Sequence, residues 1–110
     1  MVKHFYSFII ETESLFLEID SLEISDSEKE HLKSLAESHI HNSILDSIMS
    51  ELNFDDKKMF VQHINTKNHD KIWEFLRSKI DDIEDKIKEA AQVVKKELHK
   101  DLKEARGSTN

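Results

Sequence analysis

The sequence predicts an all-α fold: a four-helix, antiparallel, bundle-like domain with a long C-terminal helix. Three observations lead there. Proline is absent and Gly107 is the one glycine among 110 residues, whereas a β-rich fold of this length needs turns built from glycine, asparagine and proline. Between Asp70 and Arg106 the apolar residues Leu76, Ile80, Ile83, Ile87, Ala90 and Val94 step by four, three, four, three and four, which keeps a single stripe on one side of a helix. Helix-start chemistry punctuates the chain: Ser25-x-x-Glu28, Asn53 before Asp55 and Asp56, and Thr66 or Asn68 before the last apolar run.

Taken in order, residues 3–21 place Phe5, Phe8, Ile9, Phe16 and Ile19 at near-helical steps, with Leu15 and Leu22 beside them and Glu11, Glu13, Glu18 and Asp20 elsewhere. HFYSFII alone suits a strand by residue preference, but no second segment could pair with it, so a helix is expected. Leu22 to Ser27 is a link, closed by the Ser25–Glu28 capping box. The second helix, about 26–51, turns Leu32, Leu35, Ile40, Ile44, Ile48 and Leu52 inward, with Ala36, Leu45 and Met49 at the margins. A short third helix, about 54–64, holds Met59, Phe60 and Ile64, and the polar run Asn65 to Asn68 ends it. The last helix, about 69–106, would be ~55 Å long against ~39 Å for the second at the standard rise. A single domain over residues 1–106 follows, with 95–106 overhanging the bundle, Gly107 closing the helix in a left-handed conformation, and 107–110 forming a disordered tail.

Apolar residues make up 37% of the chain and charged residues 35%, so the core is thin and pairing with a second chain would help it. The net charge of −7 is unevenly spread. Residues 1–56 carry thirteen acids against Lys3, Lys29 and Lys33, giving −10, and residues 57–110 carry +3. An acidic half is unsuited to a phosphate backbone, and the basic positions Lys95, Lys96, Lys100, Lys103 and Arg106 alternate with Glu97, Asp101 and Glu104 as on a solvated helix face. Neither nucleic acid nor a membrane is an expected partner. No apolar run approaches the ~20 residues that cross a bilayer, and FYSFII breaks at Glu11 without a cleavage-type sequence, so no signal peptide is expected. The absence of cysteine excludes thiol chemistry and fits a reducing cytoplasm.

Seven histidines invite a metal hypothesis. His31 and His39 lie eight apart, His39 and His41 two apart, and His63 and His69 six apart, so none makes the three- or four-residue helical pair that shares an ion. Glu28-x-x-His31 occurs once, where a di-iron bundle needs two such motifs and two further carboxylates. His39, four residues after Leu35, reads as a boundary histidine or, alternatively, as a pH-responsive interface group. No serine elbow or glycine-rich phosphate loop is present, and Asp55-Asp56 and Asp81-Asp82 point ~100° apart on a helix. No enzyme, cofactor, metal or small-molecule substrate is expected.

The acidic lead-in Leu22 to Glu30, the long helix ending in Ile48 to Leu52, the short helix with Phe60 and the run Lys71-Ile72-Trp73-Glu74-Phe75-Leu76 continuing through Ile80, Ile83 and Ile87 together resemble a family of short, all-helical, uncharacterised proteins from candidate-phyla bacteria. The resemblance spans about residues 22–95; this chain departs from it in lacking a glycine within Asn65 to Asn68 and a proline after Ile80. It implies a helical fold in a bacterial setting and brings no active site. The functional expectation is therefore a non-enzymatic protein–protein interaction module that homodimerises or docks to a larger assembly through the long helix. Its candidate contacts are Trp73, Ile80, Ile83, Ile87, Val94 and Leu98, with Trp73 alternatively packing in the core near Phe60 and Ile64. A second expectation is an acidic inhibitor or nucleic-acid mimic whose N-terminal half binds a basic protein.

Overall fold

The structure, a computed structural model describing residues 4–107, is all-α, with no strand among the described residues. Five helices follow one another: α1 Glu13–Asp20, α2 Asp26–Ser50, α3 Phe54–Thr66, α4 His69–Lys79 and α5 Ile83–Gly107, with a short 3-10 turn at Ser7–Ile9 ahead of them. The starts of three are set by the expected side chains. Ser25 accepts from the Glu28 N–H, Asn53 from the Asp56 N–H and Asn68 from the Lys71 N–H, each satisfying a backbone donor that has no partner within its helix. Between Thr66 and Asn68 the choice falls on Asn68, because the Thr66 hydroxyl donates back to the His63 carbonyl at 2.7 Å. Lys67 takes a left-handed conformation at φ 58° and turns α3 into α4.

The α2 and α5 helices are both 25 residues long, about 37 Å each, and lie antiparallel along one another. Ile40, Ile44 and Ile48 of α2 and Ile83, Ile87, Ala91 and Val94 of α5 are buried in a single apolar cluster. Burial of this kind stabilises by about 1.5–3 kcal/mol per large aliphatic side chain. The α3–α4 hairpin adds Phe60, Ile72, Trp73 and Leu76, and α1 adds Leu15 and Ile19.

One continuous rod over residues 69–106 does not form. Ile80 is extended (φ −129°, ψ 120°) and Asp82 sits at φ 55°, so α4 ends and α5 begins across a three-residue corner. The corner needs no glycine, since aspartate tolerates the left-handed region better than most residues. Its cause is burial. Leu76, Ile80, Ile83 and Ile87 are all in the core, and the corner lets the stripe that carries them serve two different neighbours, α3 before the bend and α2 after it. With the bend, α5 matches α2 in length, and the expected overhang from 95 is covered at least as far as Leu102: Leu98 and Leu102 pack against the core, Lys95 meets Glu11 just ahead of α1, and His99 meets Glu18 of α1. Gly107 is the last residue of α5, and 108–110 lie outside the described residues.

The expected helix over 3–21 is likewise shorter. Phe5 and Tyr6 are buried ahead of α1, and the Phe5 carbonyl accepts from the Trp73 indole N–H at 2.9 Å. A helical Phe5 would give that carbonyl to its own backbone, so the tertiary contact replaces a turn of helix. Glu11 then takes the Ser14 N–H at 2.6 Å just before α1. The molecule is elongated, 51 × 22 × 21 Å with a radius of gyration of 16.0 Å, where about 13 Å is usual for 110 residues.

Replacing Asp82 by valine is expected to lower stability by about 1–2 kcal/mol, because a β-branched residue at positive φ is strained, whereas Asp82→Gly is expected to leave it unchanged or raise it. Denaturant midpoints of the two variants check this.

Candidate functional site

The length of the molecule is unequally covered. Toward Ile48 and Ile83 the α3–α4 hairpin joins the α2–α5 pair in one apolar cluster through Phe60, Ile72, Trp73 and Leu76. At the other end, where the start of α2 meets the end of α5, only α1 and the α1–α2 link join it. Alongside them is an open groove of about 1470 Å³. Its apolar surface comes from Leu15, Ile19, Leu22, Ile24, Leu32, Leu35, Ala36, Leu98 and Leu102. Leu35, expected to point inward, is 53% exposed in it. The polar lining is Glu23, Glu28, His31, His39, Glu97 and Asp101 with Ser21 and Ser27, and holds no lysine or arginine.

Polar contacts fasten α1 beside the groove. Lys33 of α2 pairs with Asp20 at 2.8 Å, Lys95 of α5 pairs with Glu11 at 3.0 Å, and the His99 ring meets the Glu18 carboxylate. The Ser14 backbone N–H, followed by the Lys95 ammonium, holds the Glu11 carboxyl down at about 2. These contacts hold α1 and the residues just ahead of it against both α2 and α5.

A second cluster, which sequence spacing did not reveal, lies where the N-terminal segment crosses α2. The His4 ring stacks on His41 at 4.2 Å between centroids and on Tyr6 at 5.0 Å, and the Tyr6 hydroxyl is hydrogen-bonded to His41 Nδ1. Burial pushes the Tyr6 hydroxyl well above its ordinary value, with Glu37 adding to the effect. It therefore stays protonated, and it pairs with Nδ1 of a neutral His41 ring. Burial lowers His41, and His4 lowers it further. His4 is lowered by burial and by His69, against the opposing pull of Glu37. Two stacked neutral imidazoles and a phenol make a structural clasp. They are 37 residues apart in sequence, which is why no local motif announces them.

Of the side chains read from the sequence as contacts, Trp73, Ile80, Ile83, Ile87 and Val94 are buried within the chain's own core, and only Leu98 reaches the groove. Trp73 is 5% exposed and packs edge-on to Phe5 and Phe8 from the N-terminal segment, with Phe60 one ring further on beyond Phe5. His31 and His39 both line the groove. Among the described residues, no three histidine, aspartate or glutamate side chains are gathered as metal ligands, and no helix is long and apolar enough to cross a membrane. No protein-family model, curated protein or solved structure matches this chain.

The clasp carries a pH dependence of definite sign. His4 and His41 bind protons less readily folded than unfolded, so the unfolded state gains protons first as pH falls below about 6.5. Stability is expected to be constant between about pH 7 and 9 and to fall between pH 7 and 5, with His4→Phe flattening that fall. Glu11 acts in a separate, lower window, from about 4.5 down to about 2. Thermal midpoints at half-unit pH steps check both.

Proposed function

We propose that this chain is a non-enzymatic helical module that works through protein contact, seating a helix of another protein in the groove between α1, α2 and the end of α5. The observation that carries this reading is the uncovered end of the α2–α5 pair. The α3–α4 hairpin shares the apolar cluster with that pair, while at the start of α2 and the end of α5 Leu32, Leu35, Leu98 and Leu102 line an open groove with polar residues around them. Amphipathic helices bind such troughs through apolar residues spaced three and four apart. From Ser27 to His39 the α2 wall runs about 18 Å, or three turns, at the standard rise, which fits a helix of ordinary length. A cysteine-free chain suits a reducing compartment, so we place this contact in the cytoplasm.

The supporting result would be saturable binding of an 18-residue uncharged leucine–glutamine amphipathic peptide, with amide shifts concentrated at Leu32, Leu35, Leu98 and Leu102. The same peptide is expected to bind at least about tenfold more weakly to Leu35→Gln, which opens an exposed position without touching the core. Shifts scattered over the surface, or indifference to Leu35→Gln, would remove the reading.

A further inference from the structure

We infer that the groove's occupant is a basic amphipathic helix, with leucine-like residues along one stripe and lysine or arginine on both shoulders. The inference rests on the helix-docking reading above and names the chemistry of the partner.

Four carboxylates, those of Glu23, Glu28, Glu97 and Asp101, line the groove, and no cation lines it. Glu11, Glu18, Asp20, Glu30, Glu51, Asp56 and Glu84 each meet a lysine, arginine or histidine of this chain. Among the described residues none of the four groove acids forms such a pair, and what sets them apart from the other unpaired acids is that they line one apolar groove together. Lys33 turns to Asp20 and Glu30, and Lys95 to Glu11, while neighbouring Lys29, Lys96, Lys100 and Lys103 do not line the groove. The apolar floor therefore lies between two acidic walls, Glu23 and Glu28 on the α2 side and Glu97 and Asp101 on the α5 side.

A helix laid along this floor places its shoulder residues beside those walls. Lysine and arginine there would meet opposite charge on both sides while their aliphatic stems cover more of the apolar surface. Glutamate at the same positions would be repelled. A second copy of this chain is disfavoured for the same reason: grooves brought face to face would oppose four carboxylates with four more, on molecules each carrying −7. Charge complementarity thus selects a partner of a different kind from the chain itself, and sets its approach rate and salt dependence.

Three 18-residue peptides sharing one leucine stripe, with lysine, glutamine or glutamate at the shoulders, test this on the full chain by titration calorimetry and amide-shift mapping. At 50 mM salt the lysine peptide is expected to bind at least about tenfold tighter than the glutamine peptide, with the gap closing toward 500 mM. The glutamate peptide is expected to bind weakest. Glu23→Gln with Asp101→Asn, both exposed positions, should narrow the lysine preference while leaving glutamine-peptide binding and the melting temperature intact. Equal affinity of the lysine and glutamine peptides in the groove would overturn the inference and leave the docking reading standing. Lysine-peptide binding that is indifferent to Leu35→Gln would show general attraction to an acidic protein, and would overturn it too. Sedimentation of the chain alone gives the remaining outcome: a dimer dissolved by Leu35→Gln would make a second copy the occupant and overturn the basic-helix assignment.

Discussion

The seam between α2 and α5 is the contact on which the rest of the structure depends. Two 25-residue helices lie antiparallel, with isoleucine from one against isoleucine, alanine and valine from the other. Neither helix could stand alone in water, because isolated helices gain little until an apolar face is covered. Once the pair forms, everything else is cover. The α3–α4 hairpin closes one end with aromatic side chains, and α1 closes only part of the other. The thin apolar content of the chain is spent at the hairpin end, and α1, at eight residues, is too short to complete the second. The groove is a consequence of that shortage.

What the sequence showed of this fold follows from the range of the forces involved. Three caps were visible because capping is local: a side-chain oxygen meets a backbone N–H three residues on, as at Ser25, Asn53 and Asn68. The apolar stripe from Leu76 to Val94 was equally visible, and its residues are buried as the periodicity indicates. The bend at Ile80–Asp82 was not visible, because a stripe in register across a corner has the same spacing as one along a rod. Its cause, two different neighbours for one stripe, exists only after the chain has folded. The retreat of helix ahead of Glu13 has a similar origin in the distant Trp73.

The candidate site was legible in part. The acidic first half was plain from composition, and Leu98 was picked out as a contact. The groove itself depends on which end of the bundle lacks a helix, and so on the bend that shortened α5. A straight final helix would have put the unsatisfied surface on an overhang at 95–106. The bend moves it into a trough walled by α2 as well. Leu35 lies ~160° around α2 from the middle of the buried stripe Ala36, Ile40, Ile44 and Ile48 at ~100° per residue, so it borders the groove instead of the seam. The histidine clasp shows the limit most clearly: His4, Tyr6 and His41 meet through chain crossing, and burial then determines their protonation.

Trp73 gives the molecule a built-in optical gauge. It is the sole indole in the chain, enclosed by Phe5 and Phe8, hydrogen-bonded to the Phe5 carbonyl and faced by the Arg77 guanidinium at 5.3 Å. Emission from this one fluorophore therefore reports whether the leading segment is seated, without labelling and without interference from the distant trough. Departure of that segment would hydrate the ring and redden its spectrum even while α2 and α5 kept their ellipticity. Local detachment and global melting of this protein can thus be told apart in one cuvette.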